Sequence, residues 1–144
     1  MKLFKGFFKN RSLGFYIALA SACLAVIVGV VYLICYLSIA NEKMDRVFSI
    51  ITLLFVIFGG LVVLVGELLR IEYISMAGPI FISVALAKHS VEAAYPIADM
   101  GTGVVFFGGN QTFAILFIIL IGVIFLAALV SVFLNINRIK AYAR

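Results

Sequence analysis

The chain has 144 residues, of which 66% are hydrophobic and only 12% charged, with a mean hydropathy of +1.29. Soluble domains run near 45 to 50% apolar and about 25% charged, so this composition excludes a soluble enzyme domain, a disordered tail, a disulfide-stapled secreted module and a nucleic-acid reader. The net charge of +5 does not imply an acidic polymer partner, because most of the cations (Lys2, Lys5, Lys9, Arg11, Arg138, Lys140 and Arg144) lie in the two tails that flank apolar sequence.

The first eleven residues place Leu3, Phe4, Phe7 and Phe8 opposite Lys2, Lys5 and Lys9 at helical spacing. That pattern suits a short amphipathic segment in the headgroup plane. The apolar stretch that follows is too long for a signal-peptide core, so it is expected to remain in the membrane as a first span over about 13–38. Along it Ala18, Ala22, Ala25 and Gly29 form a stripe of small residues, the surface that lets helices approach closely in lipid. Cys23 and Cys35 lie in the same run, roughly 18 Å apart along a helix, and cannot bridge each other.

A polar hexapeptide, Asn41 to Arg46, closes the first span as a tight loop, and the second span covers about 47–69. Gly59 and Gly60 offer it further close contacts, as Gly122 does in the fourth span. Glu67, Arg70 and Glu72 are expected to pair at the interface, with Glu67 and Arg70 at i, i+3.

The third span, about 73–95, contains Pro79, which either opens a short helix or kinks a longer, bent one; the longer version is favoured. Pro96 then begins a loop over 96–110 that holds Asp99, four glycines including Gly108 and Gly109, and an apolar Val-Val-Phe-Phe. Such a loop is expected to dip toward the bilayer as a lid or to serve as an ordinary connection. Asn110 is the N-cap expected for a fourth span over about 111–134.

Eight Lys and Arg residues lie in the tails and the 70–72 turn, against Lys43 and Arg46 on the other side. This bias predicts both termini in the cytoplasm. Phe15, Tyr16, Tyr73 and Tyr142 would then mark the inner interface, and Tyr36, Tyr95, Phe106 and Phe107 the outer one. The fold expected is an all-α membrane protein: a single domain of four transmembrane helices in an up-down bundle, both ends inside, in a bacterial inner membrane.

Chemistry concentrates in Lys88, His89 and Glu92. Ionisable groups at membrane depth cost about 2.5 to 3.5 kcal/mol each on insertion scales, so they need a reason to be there. On a helix the three share one side, continued by Phe81, Ala85 and Tyr95. With Asp99 brought over them by the loop, they form a candidate polar site near the outer face for a solute or a proton. The plainer alternative ends the span with Lys88 snorkelling and paired to Glu92.

A metal or cofactor is not expected, because the chain has one histidine and no second ligand motif. No catalytic residue is assigned: Ser83, Ser90 and Thr102 have no supporting motif as nucleophiles. The partners expected are the lipid bilayer and either another membrane subunit or a second copy, with no nucleic acid. The functional expectation is a transport-related or solute- or proton-binding membrane component, and the alternative is an accessory subunit of a larger complex.

Overall fold

The structure is a computed structural model of the full chain. It describes residues 12–39, 47–69, 71–105 and 108–142, with side chains undescribed at Ile39, Glu72 and 136–142. The amphipathic segment expected at 1–11, the polar loop 41–46, Arg70, the Glu72 side chain, Phe106, Phe107 and the Tyr142 ring lie outside what it describes.

Four helices account for nearly all of it: α1 Leu13–Ile39, α2 Ile50–Leu69, α3 Glu72–Thr102 and α4 Gln111–Tyr142. Each contains a stretch long and apolar enough to cross a membrane. They pack as a four-helix bundle in which α1 meets α2 and α4, and α3 meets the same two.

Packing is inverted relative to a soluble bundle. In α1 the buried residues are mainly small, Ala18, Ala22, Ala25 and Gly29, whereas Leu13, Ile27, Ile34 and Leu37 point outward. Large aliphatic side chains outside and small ones inside suit a lipid solvent, where close backbone approach replaces hydrophobic burial as the cause of association. Gly59 and Gly60 carry much of that approach. A Cβ on Gly60 would stand 2.7 Å from the Ala25 methyl, and one on Gly59 would stand 2.7 Å from Ile82 Cγ1. Gly122 does not contribute as expected: a Cβ there would meet nothing within 4 Å.

The helix ends follow local chemistry. Ser12 caps α1 through its Oγ, which accepts the Phe15 N–H at 3.1 Å, and Asn110 caps α4 by accepting the Phe113 N–H at 3.2 Å. Between α2 and α3 the turn is tight, and the Ile71 N–H donates back to the Gly66 carbonyl at 3.0 Å.

One expectation about the third span changes and one does not. Pro79 lies inside a helix that begins at Glu72, which is the longer, favoured register. Pro96 lies inside it as well, so the loop does not begin at Pro96; the helix continues to Thr102 and ends on Gly103, whose φ of 70° gives a left-handed cap bonded to the Asp99 carbonyl. Proline lacks one N–H but does not stop a helix whose neighbours cover the break, and Pro96 is fully buried. Glycine, free of the Cβ penalty at positive φ, makes the stop at 103 and allows the reversal at Gly108 and Gly109, with φ of 73° and 104°.

Candidate functional site: two polar nodes in an apolar bundle

The bundle buries polar groups at two levels. At the first, α2 ends and α3 begins. Glu67 is 9% exposed there, and its Oε1 accepts from the Ser75 hydroxyl at 2.7 Å and from the Asn135 amide at 2.8 Å. Asn135 Oδ1 in turn accepts from the Ser12 hydroxyl at 2.6 Å. One carboxylate thus ties α2 to α3 and α4, and the amide carries the tie on to the cap of α1. The pairing expected of Glu67 with Arg70 lies outside the described residues; among those described, Glu67 takes two uncharged donors on other helices. The cause is position: Gly66 lets the α3 backbone come so close that a Cβ would stand 2.7 Å from the Ser75 Cα, and Glu67 follows it into the bundle.

The second level lies where α2 and α4 begin. His89, on α3, is wholly buried. Its Nε2 is 3.3 Å from the Ala114 carbonyl of α4, and since a carbonyl only accepts, Nε2 carries the hydrogen. Tyr32 of α1 and Phe117 of α4 meet the imidazole edge to face, with centroids 5.7 and 6.0 Å away. Tyr32 also organises the start of α2: its hydroxyl accepts the Ser49 N–H at 2.8 Å and donates to the Val47 carbonyl at 3.4 Å. Phe48 and Phe113 complete an aromatic wall around this level.

Lys88 and Glu92 form an ion pair of 2.9 Å on the same helix. The three residues expected to share one side are split by the bundle. His89 turns into the core, whereas the Lys88 side chain stays 39% exposed and Glu92 17% exposed between them. Phe81 leaves that side too, to pack on Phe55 and Phe58 of α2, while Ala85 continues the buried stripe and Tyr95 is exposed.

Asp99 does not join the group. It sits on α3 roughly 15 Å further along the axis than His89, where Oδ2 accepts the Gly108 N–H at 2.9 Å. Its evident role is to fasten the returning segment to the end of α3, so the lid that would carry it over Lys88 and His89 is corrected: the helix extension moves Asp99 away along the axis.

Among the described residues, three buried side-chain atoms make no hydrogen bond: His89 Nδ1, Glu92 Oε2 and Thr52 Oγ1. All three belong to the second level. His89 and Glu92 are one turn apart on α3. Thr52 is assigned to this level by the register of α2 on α3: Gly66 meets Ser75 and Gly59 meets Ile82, and the same spacing carried one heptad further pairs position 52 with position 89. Pro96, moreover, has no N–H to offer the Glu92 carbonyl one turn back. A buried polar atom left unpaired costs about 1 to 3 kcal/mol, so three at one level mark a place where polar chemistry is retained against stability.

Tyr32, Thr52, Ser75 and Asn135 escape sequence reasoning. Thr52 and Ser75 look like ordinary tolerated polar residues in apolar runs. Their signal is the seven-residue spacing of 52, 59 and 66 against 75, 82 and 89, which becomes informative once α2 and α3 are known to pack. No group of three or more potential metal ligands occurs among the described residues. The chain matches no family model, no curated protein and no solved structure.

Proposed function

We propose that this chain is a small multi-pass membrane protein that binds and relays a proton, or a small polar solute, at the His89 level. Four helices long and apolar enough to cross a bilayer support the membrane assignment. Contacts of Gly60 with Ala25, Gly66 with Ser75, His89 with Ala114 and Ser12 with Asn135 favour an up-down order of crossing. With the positive charge bias, this supports a reading with both termini in the cytoplasm of a bacterial-type inner membrane and His89 toward the outer face.

The observation that carries the reading is a fully buried histidine with one ring nitrogen bonded and the other unpaired, beside a carboxylate that also keeps one oxygen unpaired. A site built only for stability would have apolar residues there. The Lys88–Glu92 pair, next to His89 on α3 and partly exposed, supports a route between the imidazole and the exterior.

Proteoliposomes containing a pH-sensitive dye test this directly. Under an imposed potential the protein is expected to carry a proton flux that His89→Gln and Glu92→Gln each abolish; equal flux in all three proteins overturns the relay. Binding of a polar solute would appear as a shift of the single imidazole's nitrogen resonances, and no response to pH or solute would remove the site altogether.

A further inference from the structure

Thr52 has no place in the reading above, yet it is fully buried and its hydroxyl is unpartnered. A threonine in a helix normally disposes of its hydroxyl on the carbonyl one turn back, as Ser90 does here on Leu86 at 2.8 Å. Thr52 forgoes that bond. Opposite it by register stands His89, whose Nδ1 makes no hydrogen bond and, with Nε2 donating to Ala114, keeps a lone pair. One turn along α3 is Glu92 Oε2, an acceptor. Two acceptors and a hydroxyl that both donates and accepts form the set that one water molecule satisfies, since buried waters make about three hydrogen bonds to otherwise unpaired groups.

Charge points the same way. The groups facing the imidazole are Lys88 and Glu92 on its own helix, already paired with each other, the Tyr32 side chain from α1, the Val47 carbonyl just before α2, and Ala114 and Phe117 from α4. A bound cation would add an uncompensated charge; water adds none.

We propose that Thr52 Oγ1, His89 Nδ1 and Glu92 Oε2 hold a water between α2 and α3, and that this water is the proton's route between the carboxyl and the imidazole. A proton on Glu92 passes to the water while the water gives one of its own to Nδ1: the carboxyl O–H breaks, an N–H forms, the water is regenerated, and no electrons are exchanged. This rests on the proposed relay and narrows its cargo to the proton. Thr52 is a positioning residue that holds the water.

The chain's single histidine makes the test unambiguous. In nitrogen-15-labelled protein reconstituted in phosphatidylcholine bilayers, solid-state NMR is expected to show a water cross-peak at Nδ1 of His89. Thr52→Val, nearly isosteric, should lose that peak and slow the liposome proton flux; Thr52→Ser, which keeps the hydroxyl, should restore both. Absence of the cross-peak in the unmodified chain, or its survival in Thr52→Val, overturns the water site. If Thr52→Val conducts like the unmodified protein while His89→Gln does not, this inference fails and the relay stands; if His89→Gln also conducts normally, the relay itself fails.

Discussion

The two polar levels of the bundle use similar residues to opposite ends. At Glu67 the described hydrogen bonds are closed on one another: a carboxylate, a serine, an asparagine and a capping serine connect all four helices. At His89 three atoms of comparable chemistry remain open, although the surroundings are at least as well buried. A closed network rigidifies and specifies one packing, whereas an open one gives up stability for the ability to accept something. The contrast teaches that in this chain burial alone does not distinguish a structural polar group from a functional one; the distinction lies in whether the partners are used up.

The comparison can be broken by mutation, and the largest effect is expected at the closed node. Gly66→Val should be the most damaging, because its side chain would strike the α3 backbone at Ser75. Overpacking of this kind costs about 1 to 3 kcal/mol or more, read as a lowered midpoint of detergent or thermal unfolding. Glu67→Ala should follow, since it strands the Ser75 hydroxyl and the Asn135 amide, at about 1 to 3 kcal/mol. Asn135→Leu should cost less, about 0.6 kcal/mol and at most about 1.7, the mean and the upper end for interhelical hydrogen bonds in a membrane bundle. Stabilities unchanged by Glu67→Ala and Asn135→Leu would show that the closed network holds nothing together.

Smaller and opposite in kind are the effects expected at the open node. Lys88→Met should change stability by less than about 1 kcal/mol, because a partly exposed ion pair contributes little. Thr52→Val should lower the unfolding midpoint by less than Glu67→Ala does, since the hydroxyl makes no bond to the described protein groups and the change gives up only the proposed water. A marked loss of stability in Thr52→Val would make the open node structural and erase the contrast. The returning segment supplies an independent check. Asp99→Ala should speed hydrogen exchange at the Gly108 amide, whose acceptor it removes, without altering exchange around His89, roughly 15 Å away along α3.

Much of the architecture was legible from residue order. The four apolar runs, the Asn110 cap and the stripe of Ala18, Ala22 and Ala25 follow from hydropathy and helical spacing, because these are properties of a segment by itself. The end of α3 was not legible. Pro96 reads as a terminator in isolation, and only its burial among neighbouring helices lets the chain stay helical to Thr102.

The composition of the candidate site was half legible for the same reason. Lys88, His89 and Glu92 announce themselves as charges or imidazole in an apolar run, a cost that sequence alone exposes. Asp99 looked like their companion and is not, since the helix extension carries it away. Thr52, Tyr32 and Asn135 carry no such mark, because what makes them matter is the residue opposite.

Sequence alone therefore determined that the chain forms long apolar helices and that polar groups would be forced into them, since the hydrophobic cost of each segment is a local sum. Tertiary packing decided which of those groups found partners. Hydrogen-bond satisfaction is a property of two surfaces in register, and the same glycine-lined approach of α2 to α3 that brings Ser75 to Glu67 sets Thr52 and His89 at one level, each with a buried polar atom that bonds to no described group.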